Sequence, residues 1–434
     1  TGVGFSEDAC ENLYAGSEAG TASTSGTCYN IGMGYQALKC INGGDDNVVL
    51  GCRAGCSTNS GYNNVFLGKE AGSYSTTAHS NVFIGGYAGR NVACNSGTAC
   101  DNIYVGCAAG ANNVCGCNNI ALGYYAGYGP SGGNGSDNVA IGYEAGRCVC
   151  GGNANISIGC KAGRGICGGV GNIALGRYAS CSHACGDYNI AIGENANRNR
   201  TCGNSNIILG RGAGTALSTV CSNCNIFIGA YSSGANGCQT GCCTCYNIGI
   251  GYCTLACAGG NENIAIGSYA NCGGSSAGYN ISIGRYAGAN PNGGGNCNIS
   301  IGEFAGRGTN GCENVFLGHA TGCQQACLSS QNTLIGNCAG CCTSGQRNTF
   351  LGHLAGNTTT TGCCNVAIGY DVEVPTAAGN DQMAIGSGTN RWITGDSSFN
   401  IYDKDGNQLN GGLSVTDDTT TNSTRYLIFA NGTS

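Results

Sequence analysis

Apolar and polar positions along this chain recur in one short pattern: Asn, apolar, variable, apolar, Gly, then two variable residues and usually Ala-Gly. "NIALG" at 172–176, "NIAIG" at 189–193 and "NIILG" at 206–210 show it at intervals of 17 residues. Asn172, Gly176, Asn189, Gly193, Asn206 and Gly210 are thus the punctuation of three successive units. The Asn falls at 12, 30, 47, 64, 81, 102, 119, 138, 155, 172, 189, 206, 225, 247, 263, 280, 298, 314, 332, 348 and 365, with Gln382 in the last slot. That makes 22 copies spaced by 16 to 22 residues. The Gly four residues after the Asn is present in every copy, from Gly16 to Gly386. Such a period is what a solenoid looks like in sequence.

Each unit predicts one strand of four residues with period-2 alternation. The first and third strand positions, such as Ile190 and Ile192, are apolar in nearly every copy, with Thr333 and Thr349 as exceptions. They are expected to face the solenoid core. The middle position carries no charge in any copy, and reads Tyr14, Phe66, Phe83, Ala121, Ala140, Ser157, Ala174, Ile208, Phe227 and Phe350 among others. A strand apolar on both faces is buried on both. The middle residues Ala140, Ser157, Ala174 and Phe227 are therefore expected at an interface between chains. Asn tolerates left-handed geometry and can stack its amide on the next Asn, while Gly permits the bend that ends the strand. Charged residues such as Lys69, Glu70, Glu144, Lys161, Arg177, Glu194, Arg211, Arg285 and Glu303 follow the Gly and are expected to mark the solvent face. At roughly 4.8 Å per coil, the copies predict a rod on the order of 100 Å long.

Composition sharpens this picture. Gly contributes 82 of 434 residues, Pro only 3, and charged residues 9%. Gly without a three-residue period is not collagen, and a 41% hydrophobic chain is not a disordered linker. The net charge of −6 argues against nucleic acid or an anionic membrane as partner. No apolar run approaches the length of a membrane helix. The opening "TGVGFSEDAC" has neither an initiator Met nor a signal-peptide core, so the chain is expected to be processed or part of something longer. The repeat stops after Gly388. Residues 1–388 are read as a repeat shaft, and 389–434 as a neck or the start of a further domain, with a hairpin turn expected at Asp405-Gly406.

The copies "NVFLGKEAG" at 64–72, "NVAIGYEAG" at 138–146 and "NISIGRYAG" at 280–288 carry a family likeness. The unit resembles the repeat in the heads of trimeric autotransporter adhesins. It resembles still more the repeats in tail fibres and other virion structural proteins of tailed phages, marine ones especially. The terminal "DDTTTNSTRYLIFANGTS" also resembles the segment that follows such repeats there. The resemblance implies an all-β fold, a left-handed parallel β-roll, assembled as a parallel homotrimeric fibre. It implies a virion-surface, extracellular location, and partners among other virion or tail proteins and a host surface receptor. An adhesin of the autotransporter type implies a C-terminal membrane barrel, and these 434 residues hold no such segment, so a viral rather than a bacterial setting is the expectation. The expected function is a structural rod that presents a receptor-binding tip for host attachment. A bacterial surface adhesin or filament whose rod binds ligand is the alternative, and a solenoid depolymerase the third.

The 35 Cys depart from the family pattern. Matching slots in neighbouring coils hold Cys10 and Cys28, Cys100 and Cys117, Cys150 and Cys167, Cys185 and Cys202, and Cys323 and Cys341. Stacked coils bring such residues about 4.8 Å apart, within disulfide range, so coil-to-coil staples are the favoured reading. "CSHAC" at 181–185 and "CCTC" at 242–245 are dense in thiols but complete no zinc module, so no metal site is expected. Tyr87, Tyr125, Tyr178, Tyr269 and Tyr286 share the slot two residues after the Gly. They are expected to pack on one another, with stacking on a host glycan as the rival reading. His79, His183, His319 and His353 are scattered, and no catalytic triad is suggested by spacing. Neither an enzymatic activity nor a cofactor is expected. "DKDGNQ" at 403–408 is only half of a calcium loop. The Asn-x-Ser matches at Asn155, Asn280 and Asn298 open strands and are read as buried structure.

Overall fold

The computed structural model describes residues 6–7, 10–92, 99–129, 135–148, 151–166, 168–182, 186–198, 203–215, 222–233, 245–256, 260–273, 277–290, 293–323 and 329–409. Two compact units, residues 1–247 and 248–434, divide the chain. Both are parallel β-solenoids, and the described residues contain no helix. In the first, one strand per repeat runs from Leu13–Ala15 to Ile226–Ile228. In the second, the strands run from Ile248–Ile250 to Met383–Ser387. Like residues pair with like: Ile156, Ser157 and Ile158 lie beside Ile173, Ala174 and Leu175, which lie beside Ile190, Ala191 and Ile192.

All but the last two repeat strands are three residues long rather than four, because the Gly ends the pairing; Val366–Tyr370 and Met383–Ser387 run on through it. Gly193 has a φ of 131°, and a Cβ there would sit 2.7 Å from the Gly210 carbonyl oxygen of the next coil. Only Gly fits so close a backbone stack. Two further corners per coil are left-handed, and in nearly every coil the residue there is not Gly. Tyr188, just before an Asn, has φ 56°, and Glu144, two residues after a Gly, has φ 51°. Each such corner costs about 1–2 kcal/mol. Coil-to-coil hydrogen bonds offset that cost: Tyr188 N–H donates to the Val170 carbonyl at 2.8 Å, and Glu144 N–H to the Tyr124 carbonyl at 2.9 Å.

The faces of the strand are the reverse of the sequence expectation. The middle residues point into their own coil: Ala140 is 4% exposed, Ser157 2%, Ala174 0% and Phe227 1%, with no other chain present. They are not an interface between chains. The first and third positions face outward, half-buried to exposed. The reason is alternation itself. Asn and the middle residue are two apart and share a face, and it is the Asn that turns inward.

Inside each unit, the Asn side chains form a ladder. Asn64 N–H and Nδ2 both donate to Asn47 Oδ1, at 3.1 and 2.9 Å, and Nδ2 also donates to the Ala78 carbonyl at 2.8 Å. Every donor and acceptor of the amide is used, so the polar group is buried without penalty. In the second unit Gln382 ends the ladder. Its N–H donates to Asn365 Oδ1 at 2.9 Å, while its own amide turns aside to Thr376. Beside the ladder the middle residues stack. Phe66 lies on Phe83 and Phe83 on Tyr104, with ring centroids 5.0 and 4.9 Å apart. Where aromatic gives way to Ala121, Ala140 and Ser157, a cavity of about 30 Å³ remains, room for a single water.

After residue 388 the direction changes. Asn390–Gly395 pairs antiparallel with Met383–Ser387, and Ile401–Asp403 pairs antiparallel with Asn390–Gly395. The turn that follows is the one expected at Asp405-Gly406: the Asp403 carboxylate accepts from the N–H groups of Asp405 and Asn407, at 2.9 and 2.8 Å. Those bonds, the Asn407 side chain first, hold the Asp403 carboxyl below its ordinary range. Residues 410–434 of the expected neck lie outside the described residues.

Candidate functional surfaces

The outward strand face is one candidate surface. Its third positions include Leu50, Ile84, Ile158, Ile192, Ile228, Ile250, Ile266, Leu317 and Leu351, all 36–44% exposed. No polar side chain stands at the third position of any repeat. Within each unit the residues line up in register, so the exposure is a stripe rather than a scatter.

The corner two residues before the Asn is a second. There the side chain accepts a hydrogen bond from the backbone N–H of the preceding coil's residue in the same slot. Asp45 Oδ1 takes the Cys28 N–H at 2.7 Å, Ser136 Oγ the Cys117 N–H at 3.1 Å, and Asn153 Oδ1 the Ser136 N–H at 2.8 Å. Cysteine sulfur fills the same role: Cys117 Sγ accepts from Cys100, Cys312 Sγ from Asn296, and Cys363 Sγ from Gln346, at 3.2–3.3 Å. This second polar ladder was legible as a recurrence of Asp, Asn, Ser and Cys in one slot, and the sequence reading missed it.

It also revises the staples. Cys100 and Cys117 are held as two thiols joined by that N–H···S contact, and Cys323 and Cys341 are likewise thiols. Same-slot residues of stacked coils have parallel Cα–Cβ vectors, whereas a disulfide needs Cβ atoms converging to about 3.8 Å. Cys10 Sγ points to the Ser25 carbonyl at 3.4 Å, and Cys28 sits in the N–H ladder. Cys150, Cys167, Cys185 and Cys202 lie outside the described residues, as do residues 183–185 of "CSHAC" and 241–244 around "CCTC". Cys115 is disulfide-bonded, in a slot not singled out from the sequence. Burial pushes the Cys100 thiol up to about 12, with Cys117 and Asp101 adding to it. Burial likewise pushes Cys341 up to about 12, helped by Cys342, whose sulfur is 3.5 Å away.

A third surface is the left-handed corner after the Gly. Tyr87, Tyr125, Tyr178, Tyr269 and Tyr286 are all half-buried. Tyr269 and Tyr286 stack at 4.8 Å and 2°, and Tyr286 stacks on Phe304 at 5.5 Å. Cations cover the others: Lys69 and Arg90 lie over Tyr87, Arg147 over Tyr125, and Lys161 and Arg198 over Tyr178, at 4.9–5.6 Å. The rings shield the corner by packing on one another or under a cation. The same corner corrects the reading of charges as a solvent face. Glu70 and Glu144 are each only 8% exposed. Glu70 pairs with Arg53 and Arg90 at 3.8 and 3.5 Å, and Glu144 with Arg147 and Arg164 at 2.8 and 3.6 Å. Arg177–Glu194 and Arg285–Glu303 pair in the exposed layer.

Asn155, Asn280 and Asn298 are buried members of the ladder, 2%, 4% and 9% exposed. His319 and His353 lie on the aromatic corner, the latter stacked on Tyr370 at 5.2 Å. His79 is different: one ligand atom each from His79, Cys100 and Asp101 lie within 4.8 Å of one another.

No family model, no curated protein and no solved structure matches this chain.

Proposed function

We propose that the chain is the structural shaft of a virion appendage, a tail fibre of a tailed phage, built as a parallel homotrimer that holds a receptor-binding tip away from the particle. One observation carries the assembly: the outward third position of every repeat is apolar, and within each unit these positions line up in register. Covering a side chain that is about 40% exposed contributes about 0.5–1 kcal/mol. Over the six outward aliphatics of the first unit at that exposure, Leu50, Ile84, Ile103, Ile158, Ile192 and Ile228, this reaches about 3–6 kcal/mol, before the entropy of association is subtracted. A second copy of the same stripe has the matching spacing and the same apolar character, so identical chains are the natural cover. The repeat resemblance supplies the number three and the setting on a virion.

The test is mass and position. Light scattering is expected to give three chains per particle for the parent. Ile158→Asp with Ile192→Asp is expected to keep the solenoid circular dichroism but yield monomers. A monodisperse parent monomer, or an aspartate variant that still assembles, refutes the oligomer. Antibody labelling of purified particles in the electron microscope tests the appendage, which fails if label is confined to bacterial surfaces.

A further inference from the structure

At the corner before the Asn, two successive coils of the first unit bring together a nitrogen, a sulfur and an oxygen donor. His79 and Cys100 occupy the same slot and form a parallel β-bridge. Asp101 follows at a left-handed φ of 57°, with its N–H donating to the His79 carbonyl at 3.3 Å. The ladder that satisfies this slot elsewhere does not satisfy His79. Its Nδ1 is shut off from solvent and has no hydrogen-bond partner among the described residues. The ring is held from the other side by Tyr62, stacked on it at 4.8 Å and 5°. A buried, unpartnered ring nitrogen is destabilising, and a bound cation would give it a partner.

We infer that His79, Cys100 and Asp101 bind one zinc-class divalent cation. Imidazole and thiolate together select zinc-like ions over magnesium or calcium, and a carboxylate completes a mixed N, S, O set. Tetrahedral bonds of about 2.0–2.3 Å place ligand atoms about 3.5 Å apart, so the present spread must close by about 1 Å. Cys100 is half-buried and Asp101 exposed, so side-chain rotation supplies that movement without shifting the coil. On binding, the Cys100 thiol releases its proton to solvent, and the thiolate and carboxylate neutralise the ion's two positive charges. Three protein ligands leave a fourth position to water. The ion ties two coils together where parallel Cβ vectors disfavour a disulfide. This site does not depend on the appendage reading.

The test uses the reduced full chain with cobalt(II) as the probe, since other thiols add background that variants subtract. His79→Ala, Cys100→Ser and Asp101→Ala are each expected to bind about one cobalt equivalent less than the parent, or to hold it at least about tenfold more weakly. Cys100→Ser is also expected to lose that equivalent's sulfur-to-metal absorption. His353→Ala, on the aromatic corner, is expected to match the parent. A measurement on the parent alone guards against misfolding: zinc is expected to shift the ring ¹⁵N resonances of His79 and leave those of His353 in place. Unchanged cobalt stoichiometry and affinity in His79→Ala, or His79 ring resonances that ignore zinc, overturn the inference.

Discussion

At the residue scale, stability rests on an amide. Asn172 Oδ1 accepts the Asn189 N–H and Nδ2 at 2.9 and 3.1 Å, while its Nδ2 donates to Asn155 Oδ1 and the Gly186 carbonyl at 3.0 and 2.8 Å. Asn172→Ala removes all four bonds and leaves the buried Asn189 N–H and the half-buried Gly186 carbonyl unmet. At about 1–3 kcal/mol for each orphaned group, the variant is expected to lose at least about 2 kcal/mol. Chemical denaturation that finds less than about 1 kcal/mol would contradict the ladder. The sequence showed that Asn was obligatory, and even that its amide could stack. What pattern-reading undervalued is that a polar side chain repeated in register satisfies itself, so Asn can be the inward residue and leave Ile and Val outside. The final slot makes the same point, since Gln382 is one methylene longer and its amide bonds to Thr376 instead.

At the element scale, the strand period was legible and its sidedness was not. Both faces are apolar, so hydrophobicity alone could not choose between them; the Asn two residues before the middle position does. The corner before the Asn was misread in a related way, because a thiol was weighed as a staple or a metal ligand but not as an acceptor. Sulfur and hydroxyl are interchangeable there: the Cys117 N–H is taken by Ser136 Oγ just as the Cys100 N–H is taken by Cys117 Sγ. Cys117→Ser is therefore expected to change stability by less than about 0.5 kcal/mol, and Cys117→Ala to cost about 1 kcal/mol, the worth of an ordinary hydrogen bond. A disulfide staple would make both variants equally damaging. It would also shield Cys117 from alkylation without reductant, so peptide mapping reads the same question independently.

At the scale of the whole molecule, a stack of parallel coils has one recurring liability, the open edge at each end of its ladder. The chain closes edges with reversed strands. Ser6–Glu7 pairs antiparallel with Leu13–Ala15 in the first unit, and Asn390–Gly395 with Met383–Ser387 in the second. The sequence break after Gly388 announced the second change. The division at residue 247 was marked only by the longest repeat spacing, the 22 residues from Asn225 to Asn247. An uncovered strand edge recruits other chains, and an antiparallel cap carrying Arg391 and Asn390 blocks a further parallel coil. Ile393 pairs with Ile385 on one side and Asp403 on the other, so Ile393→Pro strikes the middle of that cap. Proline removes its N–H from the ladder and fixes its φ, which costs the strand pairing on which the hairpin depends. The variant is expected to keep its coils folded by circular dichroism but to grow in mass with concentration through end-to-end contacts. Analytical ultracentrifugation across a wide concentration range checks this against the parent. A sedimentation coefficient as constant as the parent's would mean that the hairpin is an appendage to the solenoid and not its cap.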